Sequence, residues 1–208
     1  MNPGEKDILI ELRQKLHACA ELSGVEYRTG EVILDFFRDL KPDRIVKIAG
    51  TGLIFTFKSR NSLRNVLLRT EMDALPIPEK NDFIYRSANE GVSHKCGHDG
   101  HMAILAGVGK WCSEMRPENT DIHLVFQPAE ETGQGARAIS ESPEFDIIPD
   151  FCFALHNVPG FRKNSILLRE NIFSASVISL VISLEGRTVH AAEPEYGINP
   201  ALAVAEII

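Results

Sequence analysis

NVLLR at residues 65–69, IHLVF at 122–126 and FCFAL at 151–155 are three short apolar runs, and their order decides the fold. Each has the length of a buried strand and lacks the 3.6-residue period of a helix. Between the first two, Gly100–Met115 reads as a helix with Asp99 placed to cap it, and between the second and third, Gly133–Ser142 reads as another. Strands that alternate with helices build an α/β sheet with parallel members. Ligands of such sheets gather beyond the carboxyl ends of the strands. Asp73 follows the first run closely, Glu130 and Glu131 follow the second after Gln127-Pro128-Ala129, and His156 follows the third directly. A carboxylate, a carboxylate pair and an imidazole are therefore expected at one sheet edge.

Working outward, Lys6–Leu22 and Thr29–Leu40 carry apolar residues at helical spacing, the second with Pro42 beyond its end. Arg44–Ile48 and Leu53–Lys58 are strand-like and separated by Gly50-Thr51-Gly52. Asp73–His98 has several prolines and glycines and little period, which predicts a long loop of the kind that often carries function. Ile166–Arg169 and Val177–Leu184 read as further strands, and Asn199–Ile208 as a helix that is still apolar where the chain stops. No internal repeat and no low-complexity segment is present.

The composition is that of a soluble globular protein: 208 residues, 44% hydrophobic and 25% charged. Acidic residues outnumber basic ones, 29 to 22, for a net charge of -7, which argues against a nucleic-acid partner. Met1–Glu11 is polar, unlike a signal peptide, and no apolar run reaches the roughly 20 residues of a membrane span. The scattered Cys19, Cys96, Cys112 and Cys152 read as reduced thiols, with Cys19, Cys112 and Cys152, in apolar surroundings, read as core residues, and the cytoplasm is the expected location.

The densest chemistry lies in KCGHDGH, Lys95–His101, where Cys96, His98, Asp99 and His101 fall within six residues. Thiolate, imidazole and carboxylate are ligands for borderline divalent metals such as zinc, manganese, cobalt or nickel. Any one of these residues alone would read as part of a polar loop. The cluster, after a long loop and before a helix, reads as a metal site. Adjacent acids such as Glu130 and Glu131 usually lie on solvated surfaces, but this pair follows a buried-looking strand. One of the two could bind metal while the other accepts a proton from water. His156 would ordinarily be structural, and its place at the expected sheet edge makes it a third candidate. His190, in GRTVHAAEP, alone reads as a surface histidine, and His17 and His123 read as structural. Cys96 as a nucleophile is disfavoured, because a histidine two residues away rarely aligns for proton transfer and no oxyanion motif accompanies the pair.

LRQKLHACAELSGVEYRT, LLRTEMDALPIPE, GVSHKCGHDGHMAILAG, VFQPAEETGQGA, ALHNVPG and GRTVHAAEPEYGINP run in this order from about Leu12 to the end of the chain. Together they resemble the amidohydrolases of the aminoacylase, hippurate hydrolase and auxin-conjugate hydrolase group, within a wider metallopeptidase family. The resemblance implies a zinc-exopeptidase-like catalytic domain over residues 1–175, with a mixed, largely parallel sheet flanked by helices, and the start of an α+β lid domain over 176–208. It implies up to two divalent ions, bridged by Cys96 as thiolate and bound also by His98, Glu131 and His156. Glu130 would be the general base. Asp73 would orient a ligand histidine, and His190, in the lid, would reach the substrate carbonyl oxygen across a homodimer interface. Asp99 and His101 belong to the motif without being direct ligands. Val189 stands where a glycine is frequent and is expected to shift the turn that presents His190.

The substrate implied is a small N-acyl amino acid or similar amide. Family members continue through the rest of the lid and return to complete the catalytic domain, adding one more metal-binding histidine. The expectation for these 208 residues is therefore an incomplete, weakly active or inactive fragment. The rival reading is a metal-binding or dimerising remnant without catalysis, and a turnover assay with added metal separates the two.

Overall fold

The computed structural model describes residues 3–172, 175, 176, 178 and 180–207. The chain divides into two compact units, Met1–Gly160 and Phe161–Ile208. The first holds α1 (Pro3–Ala18), α2 (Tyr27–Arg38), β1 (Arg44–Ile48), β2 (Gly52–Phe57), β3 (Arg64–Glu71), α3 (His98–Met115), β4 (Thr120–Gln127), α4 (Gly135–Ser140) and β5 (Phe151–Ala154).

The five strands form one mixed sheet in the order β1-β2-β4-β3-β5. β1 with β2 and β2 with β4 are antiparallel, whereas β3 runs parallel to both β4 and β5. The chain leaves β3 for β4 on one side, through α3, and then for β5 on the other, through α4. That reversal is a topological switch point, and it places the carboxyl ends of three parallel strands side by side.

Alternation along the strands divides the core. Leu53, Phe55, Phe57, Ile122, Leu124 and Phe126 point into one layer with Leu12 and Leu16 of α1, Ile33 and Phe37 of α2, and Met102 and Leu105 of α3. Ile48, Ile54, Leu67 and Val125 face the opposite layer with Ile139 of α4. Phe37 stacks on Phe55 with ring centroids 3.9 Å apart, and Phe126 meets both edge-on. Truncating a ring buried this completely costs roughly 3–5 kcal/mol. α2 starts where it does because the Glu21 carboxylate accepts the backbone N–H groups of Arg28 and Thr29, at 3.2 and 2.8 Å. Those donors have no partner within the helix itself.

Several expectations need correction. α1 stops at Ala18, four residues short of the predicted end, and Leu22 instead bridges to Ala74. α3 starts at His98 with Gly97 as its N-terminal flank, so Asp99 lies inside the first turn and makes no cap. Cys152 is exposed and Cys19 only half-buried, while Cys112 is buried as expected. Cys152 sits on β5, which among the described residues is the end strand of the sheet, paired with β3. Ile166–Arg169 forms no strand. Val177 lies outside the described residues, and the described residues from 178 to 184 are not in a strand either. Apolar alternation sets a face but supplies no partner, and pairing is what makes a strand. The second unit, among its described residues, has one bridge between Arg187 and Ile198, a 3₁₀ turn at Pro194–Tyr196 and α5 (Ala201–Ile207). Among the described residues, no helix is long and apolar enough to cross a membrane.

Candidate metal centre

The carboxyl ends of β3, β4 and β5 and the start of α3 meet, and they gather Asp73, Glu130, Glu131, Cys96 and His156 around His98. The turn into α3 needs Gly97, whose φ is +96°. A Cβ there would also lie 2.4 Å from Asn157 Oδ1, so the segment after β5 rests directly on the cysteine-histidine turn.

His98 is wholly buried, and its Nδ1–H donates to the carbonyl oxygen of Asp73 at 2.8 Å. A carbonyl only accepts, so the proton is on Nδ1 and Nε2 presents a lone pair. That atom is buried without a hydrogen-bond partner. It faces Glu130 Oε2 and Glu131 Oε1, each 3.8 Å away, and Glu131 Oε1 is itself buried and unpartnered. His156 repeats the arrangement. Its Nδ1–H donates to the carbonyl of Asn157 at 2.9 Å, and its Nε2 lies 3.4 Å from Cys96 Sγ. Donating one ring nitrogen to a carbonyl is how a metal-binding histidine is held in its tautomer.

The donor atoms fit a divalent cation. Ligands about 2.0–2.3 Å from a tetrahedral metal stand roughly 3.3–3.8 Å from each other, and the separations here are 3.4 and 3.8 Å. Ligand atoms of Cys96, His98 and His156 all lie within 4.8 Å of one another, as do those of Asp73, His98 and Glu130, and those of Glu71, His98 and His101. Carboxylates and an imidazole lone pair that converge are mutually repulsive, and a cation relieves that repulsion. Burial, together with the charges of Glu131, Glu130 and Glu71, pushes the Cys96 thiol up to about 12. A thiol so disfavoured from ionising is a poor nucleophile by itself, although His156 lies beside it. A cation would invert that balance.

The surrounding groups are well braced. Asp73 is buried; its Oδ2 accepts Ser23 Oγ–H at 2.7 Å and the Glu131 backbone N–H at 2.9 Å, and its Oδ1 lies 3.5 Å from His98 Nδ1. Burial raises the Asp73 carboxyl, but the hydrogen bonds from His98, Ser23 and Glu131 outweigh it and hold the group at about 2. Glu130 is shifted up, by burial first and, after the opposing His98, by the neighbouring charges of Glu131 and Glu71, which suits a proton acceptor. Asp99 turns away from the centre to accept His17 Nδ1–H at 2.8 Å and Arg13 Nε–H at 2.7 Å. Of the two histidines read as structural, His17 lies between Asp99 and Glu79, and His123 between Thr56 and Asn65. His190 belongs to the second unit, where it is exposed and its Nδ1 accepts the Ala192 N–H at 3.2 Å.

Two residues at the centre were not singled out from the sequence, or were set aside there. Glu71, the last residue of β3, is buried; its Oε2 accepts His101 Nδ1–H at 2.9 Å, and Arg69 pairs with its other oxygen. His101 Nε2 in turn faces Asn157, lying 2.5 Å from its side-chain oxygen and 3.0 Å from its backbone nitrogen. The signal was present in the strand period: Glu71 is two residues before Asp73 and two after Arg69.

Comparison with known proteins identifies the family. The profile of peptidase family M20/M25/M40 matches residues 67–202. N-acetyldiaminopimelate deacetylase of Priestia megaterium is 34% identical over 201 residues, which is 96% of this chain and 53% of that protein. The Halalkalibacterium halodurans enzyme of the same name is 35% identical over 202 residues, 96% and 54% of the two chains. This chain thus spans about half the length of the curated relatives it matches. Among solved structures, a dinuclear metal-binding peptidase of the M20 family from Bacillus subtilis superposes with a TM-score of 0.72 at 31% identity, covering 77% of this chain and 45% of that one. A putative aminohydrolase from methicillin-resistant Staphylococcus aureus gives 0.67 at 30%, covering 74% and 40%.

Proposed function

The chain belongs to peptidase family M20/M25/M40, and from that membership we propose that the protein carrying it hydrolyses the amide bond of a small N-acyl amino acid at a centre of one or two divalent ions. One observation carries the reading. Two imidazole Nε2 lone pairs, a thiol and two carboxylates converge, and each imidazole is fixed by an Nδ1–H donated to a carbonyl. Cys96, His98, Glu131 and His156 are the ligands. Divalent ions, when bound, supply Lewis acidity to water and to the amide carbonyl.

Glu130 accepts the proton of the attacking water and returns it to the leaving amine. Its half-exposed side chain and raised pKa support that role. Asp73 orients His98 and holds the Glu131 backbone. Residues 176–208 begin a lid through which two copies pair, and His190 stabilises the carbonyl oxygen. These last assignments rest on the motif GRTVHAAEP alone. The names of the deacetylase relatives support an N-acetyl amino acid substrate, and the free cysteines support a cytoplasmic location. The test is to load the protein with zinc, manganese or cobalt and assay N-acetyl amino acids, including N-acetyldiaminopimelate. Metal-dependent release of acetate is expected, and its absence with every metal, in a protein that binds them, would refute the proposal.

A further inference from the structure

Glu26 is fully buried, and no step above uses it. A buried carboxylate is costly unless its oxygens are satisfied, and here they are satisfied by three separate segments. Oε1 accepts the backbone N–H of Gly24 at 2.9 Å and that of Ala129 at 2.8 Å, while Oε2 accepts Thr51 Oγ–H at 2.5 Å. Ala129 is the residue before Glu130, and its φ is +49°, a left-handed conformation that alanine adopts only under constraint. The corner is also closed from behind: a Cβ on Gly135 would fall 1.6 Å from the Pro128 carbonyl oxygen. Two buried carboxylates therefore grip the Glu130–Glu131 turn from its two sides, Asp73 at the Glu131 N–H and Glu26 at the Ala129 N–H. Both are braced by one short segment, Ser23 on Asp73 and Gly24 on Glu26.

We propose that Glu26 is a positioning residue for the metal centre, holding Ala129 in its left-handed conformation so that Glu131 faces the metal and Glu130 the attacking water. The proposal rests on the roles assigned above to Glu130 and Glu131. Glu26 acts through hydrogen-bond acceptance and not through charge. Glutamine, which keeps an amide oxygen at Oε1 and offers an N–H to Thr51, should serve in its place, whereas methionine, of similar size without an acceptor, should not.

The test is a cobalt(II) titration of the protein, read by its absorption bands, for the parent, Glu26→Gln, Glu26→Met, Thr51→Val and Glu131→Gln, with thermal unfolding measured alongside. Glu26→Met should weaken cobalt binding by about 10–100-fold, the scale of losing a group that orients a ligand, and Glu26→Gln should stay close to the parent. Thr51→Val, which frees one oxygen of Glu26, should show a smaller loss and remains informative if Glu26→Met does not fold. A lowered melting temperature with unchanged cobalt affinity in Glu26→Met, or unchanged affinity in Thr51→Val, overturns the proposal while Glu131→Gln still weakens binding. If Glu131→Gln has no effect, the ligand assignment itself fails, and the proposal with it.

Discussion

The Nδ1–H of His98 is donated to the backbone carbonyl of Asp73, 2.8 Å away, and this single bond turns the Nε2 lone pair of a wholly buried imidazole toward two glutamates. The carboxylate of the same aspartate accepts the backbone N–H of Glu131. One residue just beyond the end of β3 thereby sets the direction of two metal-facing side chains on different elements.

Asp73→Asn tests that coupling. The substitution keeps the backbone carbonyl but replaces a charged acceptor held at about 2 with a neutral amide. Zinc affinity should fall about 10–100-fold, with the fold retained, as measured by competition with a chromophoric chelator. Unchanged affinity would mean that the carbonyl alone orients His98.

Glu130→Gln and Glu131→Gln separate the two adjacent acids. The first should leave metal content nearly unchanged and lower turnover by roughly 100-fold or more, the scale of a lost general base. The second should weaken metal binding. The opposite pattern, metal lost with Glu130→Gln and kept with Glu131→Gln, would exchange the two roles.

Gly97→Ala tests the seating of the segment after β5. Alanine at φ +96° is strained, a cost of about 1–3 kcal/mol, and its Cβ would displace the Asn157 side chain that follows His156. Urea denaturation should show a loss of that size, accompanied by weaker metal binding. A stability loss without any change in metal affinity would show that Asn157 moves without His156.

His17 predicts a pH signature. The Asp99 hydrogen bond raises its pKa; burial opposes this, and the hydrogen bond with Glu79 adds to the rise. Folding therefore strengthens proton binding at His17. Its contribution is complete below the ordinary value of 6.5 and is lost as pH rises through the folded value. Glu79 is held down at about 2 by Lys95, with burial opposing and His17 assisting, so its contribution is complete above the ordinary 4.5 and is lost as pH falls toward 2. The cluster should contribute most between those two ordinary values. His17→Gln should lower the melting temperature more at pH 6 than at pH 9, and an equal loss at both would contradict the account.

Much of this was legible from pattern alone. β1 matches its predicted bounds, because its residues alternate between core and solvent and Gly52 opens the next strand. The three apolar runs are adjacent parallel strands, so the residues that follow them converge for a topological reason. What escaped depends on distance in space. Glu26 reaches Ala129 across about a hundred residues of sequence, and nothing local to either position announces the bond. Glu71 was hidden because the run NVLLR ends, to the eye, at Arg69, whereas pairing with β4 carries the strand two residues further. Asp99 sits where a helix cap is expected, but His17, 82 residues away, claims its carboxylate.

The central claim is that Cys96, His98, Glu131 and His156 hold a divalent metal. X-ray absorption at the zinc edge of the zinc-loaded protein tests it most directly, because sulfur and nitrogen or oxygen scatterers separate by distance. The account predicts a sulfur shell at about 2.3 Å from Cys96 together with nitrogen and oxygen donors at about 2.0–2.2 Å, and loss of the sulfur shell in Cys96→Ser. A first shell of nitrogen and oxygen alone in the parent protein would contradict it.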